Sequence, residues 1–116
     1  MADVVFRVND LLSTNASAVG TAAVQVSGGP KANWPLTGVS ASFYPNYHRQ
    51  ILRIVNTSTS ATLYVGSNSS ITATAGGGWF KQLAPGQFCD FDCNGSVPVW
   101  LVASAASTPF TIEEYA

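Results

Sequence analysis

Charge is what this chain has least of. Asp, Glu, Lys and Arg make up 9% of its 116 residues, against roughly 25% in ordinary soluble domains. The net charge is −1, and the five basic residues (Arg7, Lys31, Arg49, Arg53 and Lys81) are scattered. A nucleic-acid binder gathers Lys and Arg into a patch that displaces counterions from phosphates. That class is set aside. Nor does any apolar run approach the ~18 residues of a membrane-spanning helix. The opening MADVVFRVNDLL lacks the basic and apolar blocks of a secretory leader. The expectation is a protein made and used without secretion, with neither nucleic acid nor membrane as partner.

Histidine and cysteine are nearly missing too. His48 is the only histidine, it sits among Pro45, Asn46, Tyr47 and Arg49, and no Gly-x-Ser-x-Gly elbow occurs. Cys89 and Cys93 are four residues apart, which on a strand means about 13 Å. A disulfide needs Cα atoms within about 7 Å, so both are expected as free, buried thiols. A metal centre would want more ligands than one His and two Cys. No enzyme activity, cofactor or metal is expected.

Apolar residues, at 47%, suffice for one hydrophobic core, and the length is that of one domain. Helical periodicity is nearly absent. Only residues 10–18 suggest a turn or two of helix, with Asp10 as N-cap. Elsewhere, short runs of β-branched and aromatic residues alternate with Gly, Pro, Asn and Ser clusters, the pattern of an all-β sandwich or barrel. The expected fold is an antiparallel β-sandwich, jelly-roll-like, with an irregular N-terminal arm.

Strands are expected at 4–8, 21–26, 50–56, 61–65, 87–104 as a hairpin, and 110–115. Residues 1–48 are read as a first strand plus an aromatic, proline-broken arm carrying Trp34, Phe43, Tyr44 and Tyr47. This arm packs on the core or on a neighbour. Residues 49–116 are read as the sandwich core. Residues 50–56 and 61–65 are expected as a strand and its return, joined by a Thr/Ser turn, with Leu52, Ile54, Leu63 and Val65 inward. Gly76, Gly77 and Gly78 read as a flexible break beside Trp79 and Phe80. Pro85-Gly86 reads as a turn before a strand.

In the second expected hairpin, a three-residue loop at 93–95 separates apolar from polar best. It places Cys89, Phe91, Val97, Val99 and Leu101 on one face. The other face carries Phe88, Asp90, Asp92, Ser96 and Trp100, with Phe88 and Trp100 as an outer aromatic pair. A one-residue slip would mix the faces. Asp90 and Asp92, about 7 Å apart along a strand, resemble a metal or glycosidase pair. The simpler reading is a solvated, charge-protected strand face. Glu113 and Glu114 point to opposite faces. The interface candidates are Trp34, Phe43, Tyr44, Tyr47, Trp79, Phe80, Phe88 and Trp100. The tryptophans would also suit a sugar-stacking platform.

Three stretches carry a resemblance: Leu52-Arg-Ile-Val-Asn-Thr-Ser, Leu63-Tyr-Val-Gly66 and Leu83-Ala-Pro-Gly86, followed by Val97-Pro-Val-Trp-Leu-Val-Ala-Ser104. Together they resemble small structural proteins of tailed-bacteriophage virions, over about residues 50–116. The Gly76 to Gly78 insertion with Trp79 departs from that pattern. The resemblance implies a virion structural protein without catalytic residues, a decoration or cement protein on the assembled head. It would be a homo-oligomer, with the major capsid protein or other virion proteins as partners. A neck, tail-adaptor or fibre-associated protein is the variant within that class. A carbohydrate- or receptor-binding module is the alternative outside it.

Overall fold

The computed structural model describes residues 11–28, 50–93 and 96–115. Within them lie eight strands and no helix: β1 (Leu11–Val19), β2 (Val24–Ser27), β3 (Ile51–Asn56), β4 (Leu63–Gly66), β5 (Lys81–Leu83), β6 (Phe88–Asp92), β7 (Val99–Ala103) and β8 (Thr108–Tyr115). They form two antiparallel sheets, ordered β1-β8-β3-β6 and β2-β7-β4-β5. The chain is a β-sandwich. Its pairing is nested: β1 with β8, β2 with β7, β3 with β6, β4 with β5. Among the described strands, consecutive ones lie in opposite sheets except β4 and β5.

The core lies between the sheets. Leu52, Ile54, Leu63, Val65, Leu101, Phe110 and Ile112 are fully buried. Each such side chain contributes roughly 1.5–3 kcal/mol relative to an exposed one. The four inward positions expected on β3 and β4 are therefore found inward. Val19 of β1 and Val26 of β2 join the same core. The sandwich thus draws on residues before 49.

Several expectations are corrected. Residues 11–19, read as the main part of a helical turn, form β1, paired with β8 from Leu11↔Tyr115 to Val19↔Thr108. Local propensity there is weak, and an eight-strand pairing scheme overrides it. The stretches 50–56 and 61–65 do not fold back on each other. β3 pairs with β6 and β8, while β4 pairs with β5 and β7 in the other sheet. The 87–104 hairpin is likewise split, β6 in one sheet and β7 in the other. Its face assignment survives in part. Cys89 and Phe91 pack against the core, and Val99 and Leu101 are buried in it, but Val97 is exposed. The expected strand at 4–8 lies outside the described residues.

Asn56 holds the crossovers together. It ends β3 and is fully buried. Its Nδ2 donates to the carbonyls of Ala61 at 2.8 Å and Leu83 at 3.0 Å. Its Oδ1 accepts from the Ser58 N–H at 2.9 Å. Its backbone N–H donates to the Gln87 carbonyl, and its carbonyl accepts from the Gly86 N–H. One side chain therefore satisfies the buried groups of the β3–β4 crossover and of the β5 end. Ser58 extends the turn, its Oγ accepting from the Ser60 and Ala61 N–H groups. The Pro85-Gly86 turn is found as expected. The Gln87 N–H donates to the Ala84 carbonyl, with Gly86 at φ 80. Proline preceding a left-handed glycine is the type II arrangement.

The glycine run is a built loop and not a break. The Thr72 N–H donates to the Gly77 carbonyl, and the Gly77 N–H to the Thr74 carbonyl. The Trp79 indole N–H also donates to the Thr74 carbonyl, at 2.8 Å. A Cβ on Gly77 would stand 2.3 Å from the Thr72 carbonyl oxygen. Only glycine permits that approach.

Candidate functional site

Among the described residues, β5 and β6 are the last strands of their sheets on one flank, and exposed aromatic rings gather there. Phe80 and Phe88 are the most exposed large apolar side chains among the described residues, each at 56%. Phe80 immediately precedes β5 and meets Phe91 of β6 edge to face, ring centres 5.6 Å apart. This contact closes the seam between the two sheets, beneath which Cys89 packs on the core. Beside it opens a hollow of about 380 Å³ lined by Lys81, Leu83, Gly86, Gln87 and Phe88.

Phe88 belongs to a second group on the outer face of β8-β3-β6. Arg53 faces Asp90 across β3–β6 and Glu113 across β3–β8. Its guanidinium grips Asp90 through two bonds, Nε to Oδ1 at 2.7 Å and Nη2 to Oδ2 at 2.9 Å. It lies 4.5 Å from the centre of the Phe88 ring and 5.5 Å from that of Tyr115. The bond to Asp90, ahead of other influences, holds Arg53 more firmly protonated. The Tyr115 hydroxyl donates to Glu113 at 2.7 Å, and that bond is the main cause raising its pKa above the ordinary tyrosine value. Asp90 is thus the partner of an arginine, and Asp92 is exposed at the strand end.

Cys89 and Cys93 form no disulfide. Burial pushes the Cys89 thiol up to about 12, against a smaller opposing pull from Lys81. It is a packed, unreactive thiol at neutral pH.

The remaining interface candidates divide as follows. Trp34, Phe43, Tyr44 and Tyr47, and with them His48, lie outside the described residues. Trp79 is half-buried and leans on Tyr64 at 5.0 Å. Trp100 is half-buried on β7, aligned with Gln25 and Gly66. The expected Phe88–Trp100 pair does not form, because the two residues stand on different sheets. Tyr64, Trp79 and Trp100 instead share the outer face of β2-β7-β4-β5.

Arg53 and Tyr115 were missed as members of the aromatic group. Each alternates correctly along its strand, but their meeting depends on β8 and β6 flanking β3, which no local pattern signals. A second hollow, of about 370 Å³, lies between residues 57–61 and 105–109 and is lined largely by hydroxyl groups and small side chains. A scan against protein-family models gives no match for this chain, and a search of curated proteins gives none either.

Proposed function

We propose that this chain is a non-enzymatic structural protein of a tailed-phage virion, a decoration or cement protein bound to the assembled head. The observation that carries this reading is the β5–β6 flank. Phe80 and Phe88 stand 56% exposed beside β5 and β6, which end their sheets among the described residues, on a chain with only 9% charged residues. Exposed large rings grouped in this way mark contact surfaces. Low charge reduces the desolvation cost of burying such a surface against another protein. We also read the nested strand order as a jelly roll, an architecture that viral capsid domains share with lectins and cupins. Because a fold alone does not define a function, the surface and the motif resemblance supply the rest.

Quantitative mass spectrometry of purified source virions tests the proposal. Hundreds of copies per particle support head decoration. A count of roughly a dozen or fewer, the order of one symmetric ring, moves the chain to the neck, tail adaptor or fibre. Absence from the particle overturns the virion reading. A carbohydrate-binding module is the second reading, favoured by Tyr64, Trp79 and Trp100 sharing one outer face. Hits on a glycan array that vanish with Trp100→Ala would establish it.

A further inference from the structure

Among the described residues, no strand pairs with the outer side of β6, the last strand of its sheet. The Asn56 N–H donates to the Gln87 carbonyl at 2.8 Å, and the β3–β6 register continues without a shift from Val55↔Phe88 to Ile51↔Asp92. In an antiparallel pair, bonded and non-bonded positions alternate. The ladder bonds therefore fall on Cys89 and Phe91. The N–H and C=O groups of Phe88, Asp90 and Asp92 are directed away from β3, toward the free edge.

We propose that the β6 edge receives an extended segment of a partner protein as a further strand, apolar on its inner positions and basic on its outer ones. The side chains on either side of the edge set this chemistry. On the outer face, Phe88, Asp90 and Asp92 would stand beside the added strand. Arg53 already neutralises Asp90, which leaves Asp92 to meet a basic side chain. On the inner face, the added residues would lie along Cys89, Phe91 and the exposed ring of Phe80. Lys81, on the far side of that seam, disfavours further cations there.

Charge also argues against a second copy of this chain as the occupant. Antiparallel pairing of β6 with itself in the fully overlapping register would set Asp90 opposite Asp90, and like charges facing across strands are destabilising; registers that avoid this contact pair fewer residues. Acidic residues on an edge do protect against indiscriminate pairing. That role leaves Phe80 and Phe88 unexplained, and main-chain strand addition with side-chain selection accounts for both.

This inference rests on the flank being the contact surface of the proposed function. Its test uses the isotope-labelled full chain and two capped seven-residue peptides, one alternating valine with lysine and one alternating valine with glutamate. The lysine peptide is expected to shift the amide signals of Phe88, Asp90 and Asp92, while the glutamate peptide does not. Asp92→Lys should weaken the lysine peptide about five- to tenfold and admit the glutamate peptide. Phe80→Ser should weaken binding and lower the Tm modestly through loss of the Phe91 contact, while a cooperative melting transition and unchanged β6 amide positions in the free protein show the fold intact. Absence of shifts at millimolar peptide, shifts confined to another edge, or self-association through β6 would each overturn the inference. Virion incorporation without peptide binding would remove this inference alone. Peptide binding by a chain absent from virions would remove the virion reading alone.

Discussion

Replacing Asn56 by alanine should be among the most damaging single changes available to this sandwich. The substitution removes one partner from each of three buried groups, the Ala61 carbonyl, the Leu83 carbonyl and the Ser58 N–H, of which Leu83 keeps its place opposite Leu63 in the β4–β5 ladder. Their residues are 5%, 1% and 8% exposed, so bulk water does not replace the lost bonds. Leaving a buried donor or acceptor unpaired costs about 1–3 kcal/mol. A water entering the vacated space would recover part of this. The expected loss is therefore about 3–5 kcal/mol, a large share of the ~5–15 kcal/mol that stabilises a typical domain. At about 4 °C per kcal/mol for this size, the Tm should fall by roughly 12–20 °C.

Asn56→Asp sharpens the test, because it keeps the acceptor for Ser58 and turns the two donations into repulsion between carboxylate and carbonyls. Burial and those carbonyls favour the protonated acid, so the folded-state pKa lies above the unfolded value of about 3.9. The folded form then holds the proton where the unfolded form has released it. Stability of this variant should fall as pH rises from about 4, and level off above the folded pKa. Urea unfolding followed by circular dichroism at several pH values reads both effects. An alanine variant within about 1 kcal/mol of the parent, or an aspartate variant whose deficit does not grow with pH, would refute this account of the crossovers.

Three further outcomes are expected. Gly77→Ala should cost about 1–3 kcal/mol by forcing a Cβ against the Thr72 carbonyl, whereas Gly86→Ala meets no atoms and should cost only about 1 kcal/mol for its left-handed φ; equal losses in thermal melts would contradict the loop geometry. Cys89 titrates near 9.0 when unfolded and about 12 when folded, so the unfolded chain loses its proton first and stability should decline above pH 9, in the same direction as the Tyr115 contribution. Cys89→Ala should flatten that alkaline slope, and slow labelling of the parent by iodoacetamide at neutral pH would confirm the packed thiol. Arg53→Lys loses the two-bond grip on Asp90 and much of the stacking on Phe88; at 33% and 37% side-chain exposure the loss should be only about 1–2 kcal/mol. A double-mutant cycle with Asp90→Ala should report a coupling of about 1 kcal/mol or less, and zero coupling would mean that the pair is ornamental.

The facing of residues along individual strands was largely legible, while their neighbours and pairing register were not. Leu52 and Ile54, or Cys89 and Phe91, declare their common face through a period of two. Neither pair says which sheet it joins. A Thr/Ser turn at 57–60 or a loop at 93–95 suits a hairpin and an inter-sheet crossover equally well, since both need only a short polar reversal. The crossover prevails here because β3 has two better neighbours, β8 and β6, supplied from 33 to 64 residues downstream. The helical reading of residues 10–18 failed for the same reason. Ser, Thr and Asn there are mediocre helix formers that offset Leu and Ala, and β8 decides.

The amino-acid sequence alone therefore determined the class and the faces. Scarce helical periodicity and short β-branched runs between turn residues pointed to an all-β sandwich or barrel with Leu52, Ile54, Leu63 and Val65 inside. Those properties are local, set by each residue's own chemistry and its neighbours along the strand. Tertiary structure alone decided the nested order of the sheets, the role of Asn56 and the gathering of Phe80, Phe88 and Arg53. Each depends on atoms brought together from distant positions, as when Leu83 presents its carbonyl to Asn56 across 27 residues of chain. Long-range pairing is chosen by total burial and hydrogen-bond satisfaction, and no short window of sequence contains that sum.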